Sequence, residues 1–231
     1  MTITLRAGVL NSGIQQNGTE FLTVDTSNNA TLSNNLAVTG AVSGTTGTFT
    51  STLGVTGAIT GSSTVAGSTG ILYPLTSGTA VATTSGTSID FTSIPSWVKR
   101  ITVMLSGVGT NGTSNPILRL GTSGGIESTS YAGSVTTNFG TNAGAYTKSI
   151  STGFDAVYDW SASETIAGQY IVSLLGSNVW VCTWAFGFTN AGRTQFGGGT
   201  KTLSGTLDRV RFTTTNGTDT FDAGSVNILY E

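Results

Sequence analysis

The chain has 231 residues, enough for one ordinary domain and an extension, and only 9% of them are charged, against about 25% in a typical soluble domain. The formal net charge is −2, with one cysteine and no histidine. These values exclude an intrachain disulfide framework and a Ser-His-Asp triad, and the absence of a basic stripe argues against nucleic-acid binding.

Residues 1–30 are expected to form an N-terminal attachment segment. Thr2–Arg6 and Thr19–Asp25 have the composition of short strands, and Asn, Gly and Gln turn residues separate them. The sequence has no apolar run long enough for a signal peptide or a membrane-spanning helix. We therefore expect no insertion into a membrane.

Residues 26–89 contain no charged side chain, and one phrase occurs in this stretch twice, 17 residues apart: Leu36-Ala-Val-Thr-Gly-Ala-Val-Ser-Gly44 and Leu53-Gly-Val-Thr-Gly-Ala-Ile-Thr-Gly61. Ordering such a segment costs about 1–2 kcal/mol per residue of backbone entropy, and a lone strand buries too little to offset it. Copies wound around each other could bury the apolar side chains. A flexible Gly/Ser/Thr linker is the alternative, but a linker has no need of periodic apolar residues.

The repeat therefore predicts an intertwined homotrimeric β shaft over residues 31–76. Its expected core consists of Leu36, Val38, Val42, Phe49, Leu53, Val55 and Ile59.

Residues 77–231 are predicted to form one all-β domain, an antiparallel β-sandwich that is jelly-roll-like. Alternation places Trp180, Cys182, Trp184, Phe186 and Phe188 on one face of their strand, and it places Val210 and Phe212 inward with Arg209 and Arg211 outward. The predicted strands are 78–84, 88–91, 98–106, 117–121, 131–137, 145–151, 154–160, 168–175, 179–188, 202–214 and 225–230.

Three segments carry a resemblance to a known family. These are the Val-Thr-Gly-Ala-Val/Ile repeats with the Gly44–Leu53 phrase, the segment Ser88-Ile-Asp-Phe-Thr-Ser-Ile-Pro-Ser-Trp-Val-Lys-Arg-Ile101, and the terminal Phe221–Glu231 strand. Together they resemble tail fibre proteins of tailed bacteriophages over residues 30–231. The resemblance implies a trimer that is made in the host cytoplasm and assembled into the virion. Its N-terminus would dock on a tail or baseplate protein, and its C-terminal β domain would touch the host surface.

The family has no fixed catalytic or ligand motif, so the candidate contacts come from this sequence. The longest polar connections are predicted at 107–116, 138–147 and 189–200, and loops on a rigid sandwich commonly carry binding. Within them, Tyr146 and Phe196 are candidates for stacking on sugar rings, while Arg193 and Gln195 could bind sugar hydroxyls. Phe196-Gly-Gly-Gly-Thr-Lys201 is interpreted as a flexible loop.

Three functions remain open from the sequence. The first is a tail fibre that binds host surface polysaccharide, with no enzymatic activity, cofactor or metal. The second is a structural virion protein, such as a capsid decoration or tail connector, without receptor binding. The third is a glycan-hydrolysing tailspike that uses paired carboxylates, for which Asp155 with Asp159 and Asp219 with Asp222 are the candidates. We interpret these aspartates as turn and strand-end residues.

Overall fold

The computed structural model describes residues 75–140, 144–157 and 159–231 in full, and before them the backbone of five short strands. The chain divides into two compact units, Met1–Thr60 and Gly61–Glu231. The strands are β1 (Ile14–Gln16), β2 (Thr19–Val24), β3 (Ala30–Leu32), β4 (Val65–Gly67), β5 (Gly70–Leu72), β6 (Thr76–Ser77), β7 (Val81–Ala82), β8 (Ser88–Phe91), β9 (Arg100–Thr110), β10 (Pro116–Thr122), β11 (Gly125–Ile126), β12 (Tyr131–Asn138), β13 (Ala145–Ile150), β14 (Phe154–Asp155), β15 (Ile166–Gly176), β16 (Val179–Phe188), β17 (Thr194–Thr202), β18 (Arg209–Thr214) and β19 (Phe221–Tyr230).

The strands before residue 75 form two small antiparallel groups. In the first unit, β1, β2 and β3 pair in that order, and in the second unit β4 pairs with β5. All seven residues expected in the shaft core lie outside the described residues: Leu36, Val38, Val42, Phe49, Leu53, Val55 and Ile59.

Two antiparallel sheets build the rest of the second unit. The large sheet has the order β13-β12-β17-β16-β15-β9-β19-β6, and β7 also pairs with β19. The small sheet has the order β11-β10-β18-β8, and β14 also pairs with β10. No described residue is helical, so the described chain offers no helix that could cross a membrane.

The two sheets enclose one shared core, which gives a β-sandwich-like architecture. Residues directly opposite in neighbouring strands point to the same face, and an inward row of the large sheet runs through Ile228, Val103, Tyr170, Trp184, Gly197 and Val135. Across the core, the Tyr170 ring lies 6.4 Å from Phe212 of β18, and the Trp184 ring lies 5.8 Å from Phe154 of β14. The all-β, antiparallel prediction is therefore confirmed.

Alternation along two strands also agrees with the sequence prediction. Every apolar member of the Trp180–Phe188 series on β16 is buried, and Cys182 is fully buried. On β18, Val210 and Phe212 are buried, while Arg209 and Arg211 are partly exposed. In these two strands the alternation of large apolar side chains determines which residues face the core.

The predicted loop at 189–200 is wrong over most of its length. Residues 194–202 form β17, which pairs with β12 on one side and with β16 on the other. Gly197, Gly198 and Gly199 therefore lie in the middle of a sheet. A Cβ built on Gly197 would overlap the indole ring of Trp184, so this glycine leaves the space that the aromatic side chain occupies.

Other boundaries also differ from the prediction. The predicted strand 202–214 consists of the last residue of β17, a connection and β18, while the predicted strand 154–160 shortens to β14. The predicted loop 107–116 shortens to residues 111–115, because β9 continues to Thr110 and β10 begins at Pro116. The sequence therefore predicts too short a length for strands that continue into polar residues, and too great a length for strands interrupted by Gly or Asp.

Candidate functional site

One end of the sandwich gathers aromatic and charged side chains that the sequence analysis singled out only in part. We call Phe139, Tyr146, Glu164, Phe188 and Arg193 the Phe139 cluster. Phe139 follows β12, and its ring lies edge-on to Tyr146 of β13, with the ring centroids 5.5 Å apart. The Arg193 guanidinium lies 4.6 Å from the Phe139 centroid and 5.7 Å from that of Phe188. The structure thus brings two of the four predicted contact residues, Tyr146 and Arg193, to one place.

The charge of Arg193 is neutralised within the cluster. Its Nη1 donates to Glu164 Oε1 at 2.8 Å, and Glu164 is only 7% exposed. Stacking on Phe139 and pairing with Glu164 hold the planar guanidinium in a fixed orientation. Glu164 in turn accepts a hydrogen bond from Ser161 N through Oε2 at 3.0 Å. The cluster therefore contains the exposed Tyr146 ring and an Arg193 guanidinium of fixed orientation. Because Glu164 pairs with Arg193, the two side chains together carry little net charge.

Gln195 does not belong to a binding surface, which corrects the sequence prediction. Its side chain is 1% exposed, and its Nε2 donates to Thr137 Oγ1 at 2.8 Å in the core. The reason is the register: Gln195 lies opposite Thr137 and Phe186, in an inward row of the large sheet. Its amide stabilises the pairing of β12 with β17.

Phe196 is exposed, as expected of a contact residue, but it lies away from Tyr146. Phe196 is opposite Thr136, whose hydroxyl bonds that of Thr147 at 2.9 Å on the outer face of the sheet. Tyr146 is opposite Thr137, one residue further along, and therefore shares the inward face near the sheet edge. The two stacking candidates thus belong to opposite faces, and one ligand ring cannot contact both at a single point.

Two of the four carboxylates considered for hydrolysis, Asp155 and Asp219, have structural partners. Asp155 is 2% exposed and accepts a 2.7 Å hydrogen bond from Lys148 Nζ. Burial raises the pKa of Asp155 above its ordinary value, and the nearby Lys148 opposes that shift only in part. Asp219 joins two turns, because it accepts from Ser114 N at 2.8 Å and from Asn216 Nδ2 at 2.7 Å. Both carboxylates thus hold connections in place.

Two surface clefts lie outside the Phe139 cluster. One is lined by residues that include Pro95, Asn178 and Leu207, and the other by residues that include Val81, Phe91 and Tyr230. Neither includes a member of the Phe139 cluster. Within the described residues, no group of three or more His, Cys, Asp or Glu side chains could hold a metal ion.

Comparisons of the chain with protein-family models, with curated proteins and with solved structures find no match.

Proposed function

We propose that this chain is a homotrimeric tail fibre protein of a tailed bacteriophage, located in the virion, that attaches the particle to a polysaccharide on the host surface. The observation that carries the proposal is the charge-free repeat with a 17-residue period, followed directly by an all-β, sandwich-like domain. The repeat needs partner copies to bury its apolar side chains. In this proposal the N-terminal segment docks on a tail or baseplate protein. The jelly-roll-like connectivity of the C-terminal domain stays a prediction.

Within this proposal the Phe139 cluster is the host-contact site. Tyr146 is 56% exposed, so much of its side chain is accessible to a sugar, and Arg193 contacts the same Phe139 ring. A sugar ring stacks on an aromatic face, and polar groups beside that face bind its hydroxyls. Because Glu164 neutralises Arg193, the site suits a neutral glycan, and binding should depend little on salt. Several weak sites on one virion would supply avidity.

A structural virion protein without receptor binding is the second candidate, and two observations favour it. Gln195 is buried and Arg193 is already paired, so two of the four expected ligand contacts serve the fold. A decoration or connector protein would use the same domain to pack on another virion protein.

Glycan binding separates these two functions. Purified full-length protein is applied to an array of bacterial surface polysaccharides, together with a Tyr146→Ala variant. The matched control is Leu175→Ala, because Leu175 is 75% exposed and lies in the β15–β16 hairpin, at the other end of the strands that reach the cluster. We expect the wild type and Leu175→Ala to bind the same glycan. Tyr146→Ala should bind about three- to tenfold more weakly, the equivalent of roughly 0.5–1.5 kcal/mol for one aromatic contact.

Binding that is unchanged in Tyr146→Ala would remove the cluster from the site. A trimer that binds no polysaccharide on the array would favour the structural alternative.

A further inference from the structure

The outer face of the large sheet is almost free of charge. The registers define four outward rows across the large sheet, two of them from β19 to β13, one from β9 to β12, and one in which a bulge shifts the pairing between β9 and β15. We call the residues of these rows the outer face. The rows contain Ser, Thr, Asn, Gln, Gly, Ala, Val, Ile, Leu, Met and Phe, and one charged residue, Arg100, which pairs with Glu231 at the end of the sheet. The residues are Leu229, Thr102, Ile171, Thr183, Gly198, Ser134 and Ser149; Asn227, Met104, Gln169, Ala185, Phe196, Thr136 and Thr147; Arg100, Ser173, Val181, Thr200 and Ala132; and Ser225, Ser106, Ala167, Gly187, Thr194, Asn138 and Ala145.

The opposite side of the molecule is different. On the small sheet, Arg119, Arg211 and Asp90 lie side by side in one outward row. Arg211 Nε and Nη2 donate to the two carboxylate oxygens of Asp90 at 2.6 and 2.7 Å. The described domain therefore has one face that carries a row of charged residues and one face whose single charged residue, Arg100, lies at its end.

The outer face is large enough for a stable protein interface. Each of the seven strands covers a width of about 4.8 Å and each of the four rows a length of about 6.8 Å, which gives roughly 34 Å by 27 Å, or about 900 Å². Each partner in a stable complex contributes about 800 Å². Interfaces are depleted of charge at their centre and enriched in aromatic residues, and Phe196 is 55% exposed near the middle of this face.

We propose that the outer face is buried against the other copies of this chain, with the outer faces of the three copies turned toward the three-fold axis of the proposed trimer. A charged partner surface would lose hydration without gaining an ion pair on this face, whereas another copy supplies a face of the same charge-free character. Copies are also what the preceding repeat requires, since it cannot bury its apolar residues alone. The inference thus rests on the proposed homo-oligomer and assigns the surface through which the C-terminal domains meet. It also gives the exposed Phe196 ring an intersubunit role and leaves host contact to the Phe139 cluster.

Cysteine protection tests the assignment in the full-length protein. Thr183 is exposed in one copy and lies at the centre of the outer face, on β16. Thr92 is also exposed and follows β8 of the small sheet, which makes Thr92→Cys the matched control. The native Cys182 is buried, so the wild type measures the background rate of thiol labelling. The native mass and the rate of reaction with a thiol reagent are measured for each variant.

We expect all three proteins to have the same oligomeric mass, and Thr183→Cys to react about tenfold or more slowly than Thr92→Cys. Equal rates in an oligomer of wild-type mass overturn the assignment and leave the proposed trimer intact. A monomeric wild type overturns both. Thr183→Cys that reacts freely in the purified protein, but is protected when a bacterial polysaccharide is added, identifies glycan as the occupant and overturns contact between copies. If Thr183→Cys alone lowers the oligomeric mass, the substitution has broken the interface, which supports the assignment.

Discussion

Replacing Gly197 by Ala should destabilise the C-terminal domain, although it adds only one methyl group to a strand. A Cβ at Gly197 would overlap Trp184 and would lie 2.8 Å from the carbonyl oxygen of Ser134. The indole cannot easily move away, because it is 4% exposed and packs against Tyr170 and Phe154, with ring centroids 5.7 and 5.8 Å away. Overpacking of this kind costs about 1–3 kcal/mol. In a domain of this size that corresponds to a fall in Tm of roughly 3–10 °C.

Gly198→Ala is the matched control for that variant. The next residue on the strand points to the outer face, where a Cβ would have Cys182 O as its nearest neighbour, at 3.8 Å. We expect this variant to keep the wild-type Tm or to gain up to about 1 kcal/mol from the lower entropy of its unfolded chain. Thermal denaturation followed by near-UV circular dichroism of the full-length proteins measures both. If Gly197→Ala melts like Gly198→Ala, then Trp184 does not occupy the space above β17 and the register is wrong.

Three further predictions concern single groups. Cys182 is fully buried, and burial raises the pKa of its thiol well above the ordinary value. A thiol reagent should therefore label Cys182 only after denaturation. Rapid labelling of the native protein would contradict the inward orientation of Cys182 on β16. The pKa of Asp155 is raised by burial, so the folded state favours the protonated carboxyl, and this contribution to stability is present in acid and lost as pH rises through the raised pKa. The free energy of unfolding of Asp155→Asn, relative to wild type, should therefore increase as the pH rises from acid through the raised pKa of Asp155, and a constant difference would refute the shift. Gln195→Ala should lower the Tm by removing a buried amide that donates to Thr137, and Tyr146→Ala, at an exposed position with one aromatic neighbour, should lower it less. The same melting assay would contradict both placements if the order were reversed.

The sequence predicts best the elements whose large side chains alternate. β16 carries four aromatic residues and Cys182 at every second position, so its length and its core-facing side follow from period-2 alternation alone. The same argument places Val210 and Phe212 inward. In both strands the driving force is burial of large apolar side chains, and that property belongs to each strand by itself.

β17 could not be predicted in this way, because its core-facing positions carry no apolar side chain. Gln195, Gly197, Gly199 and Lys201 share the inward parity, and two of them are glycines whose space is filled from neighbouring elements. The glycines of β17 are explained by the aromatic residues of β16, which need small residues opposite them. This relation can be recognised only once the pairing of the two strands is known. The placement of Gln195 follows the same pairing.

The candidate site was predicted in part for a related reason. Exposure of Tyr146 and Phe196 agrees with their polar, glycine-rich surroundings. Their separation onto two faces depends on the registers of β12 with β13 and with β17, since a shift by one residue would exchange the faces. The contribution of Phe139 and Glu164 was missed because neither lies near Arg193 in the sequence. Only the fold brings them together.

The mass of the native protein shows whether copies of the chain assemble. The proposed fibre consists of three copies of a 23.5 kDa chain, a particle of about 70 kDa, in which the repeat and the outer face are buried between copies. Native mass spectrometry of the purified protein should show this trimer over a range of concentrations. A monomer of 23.5 kDa under the same conditions would contradict the shaft, the interface and the proposed fibre together.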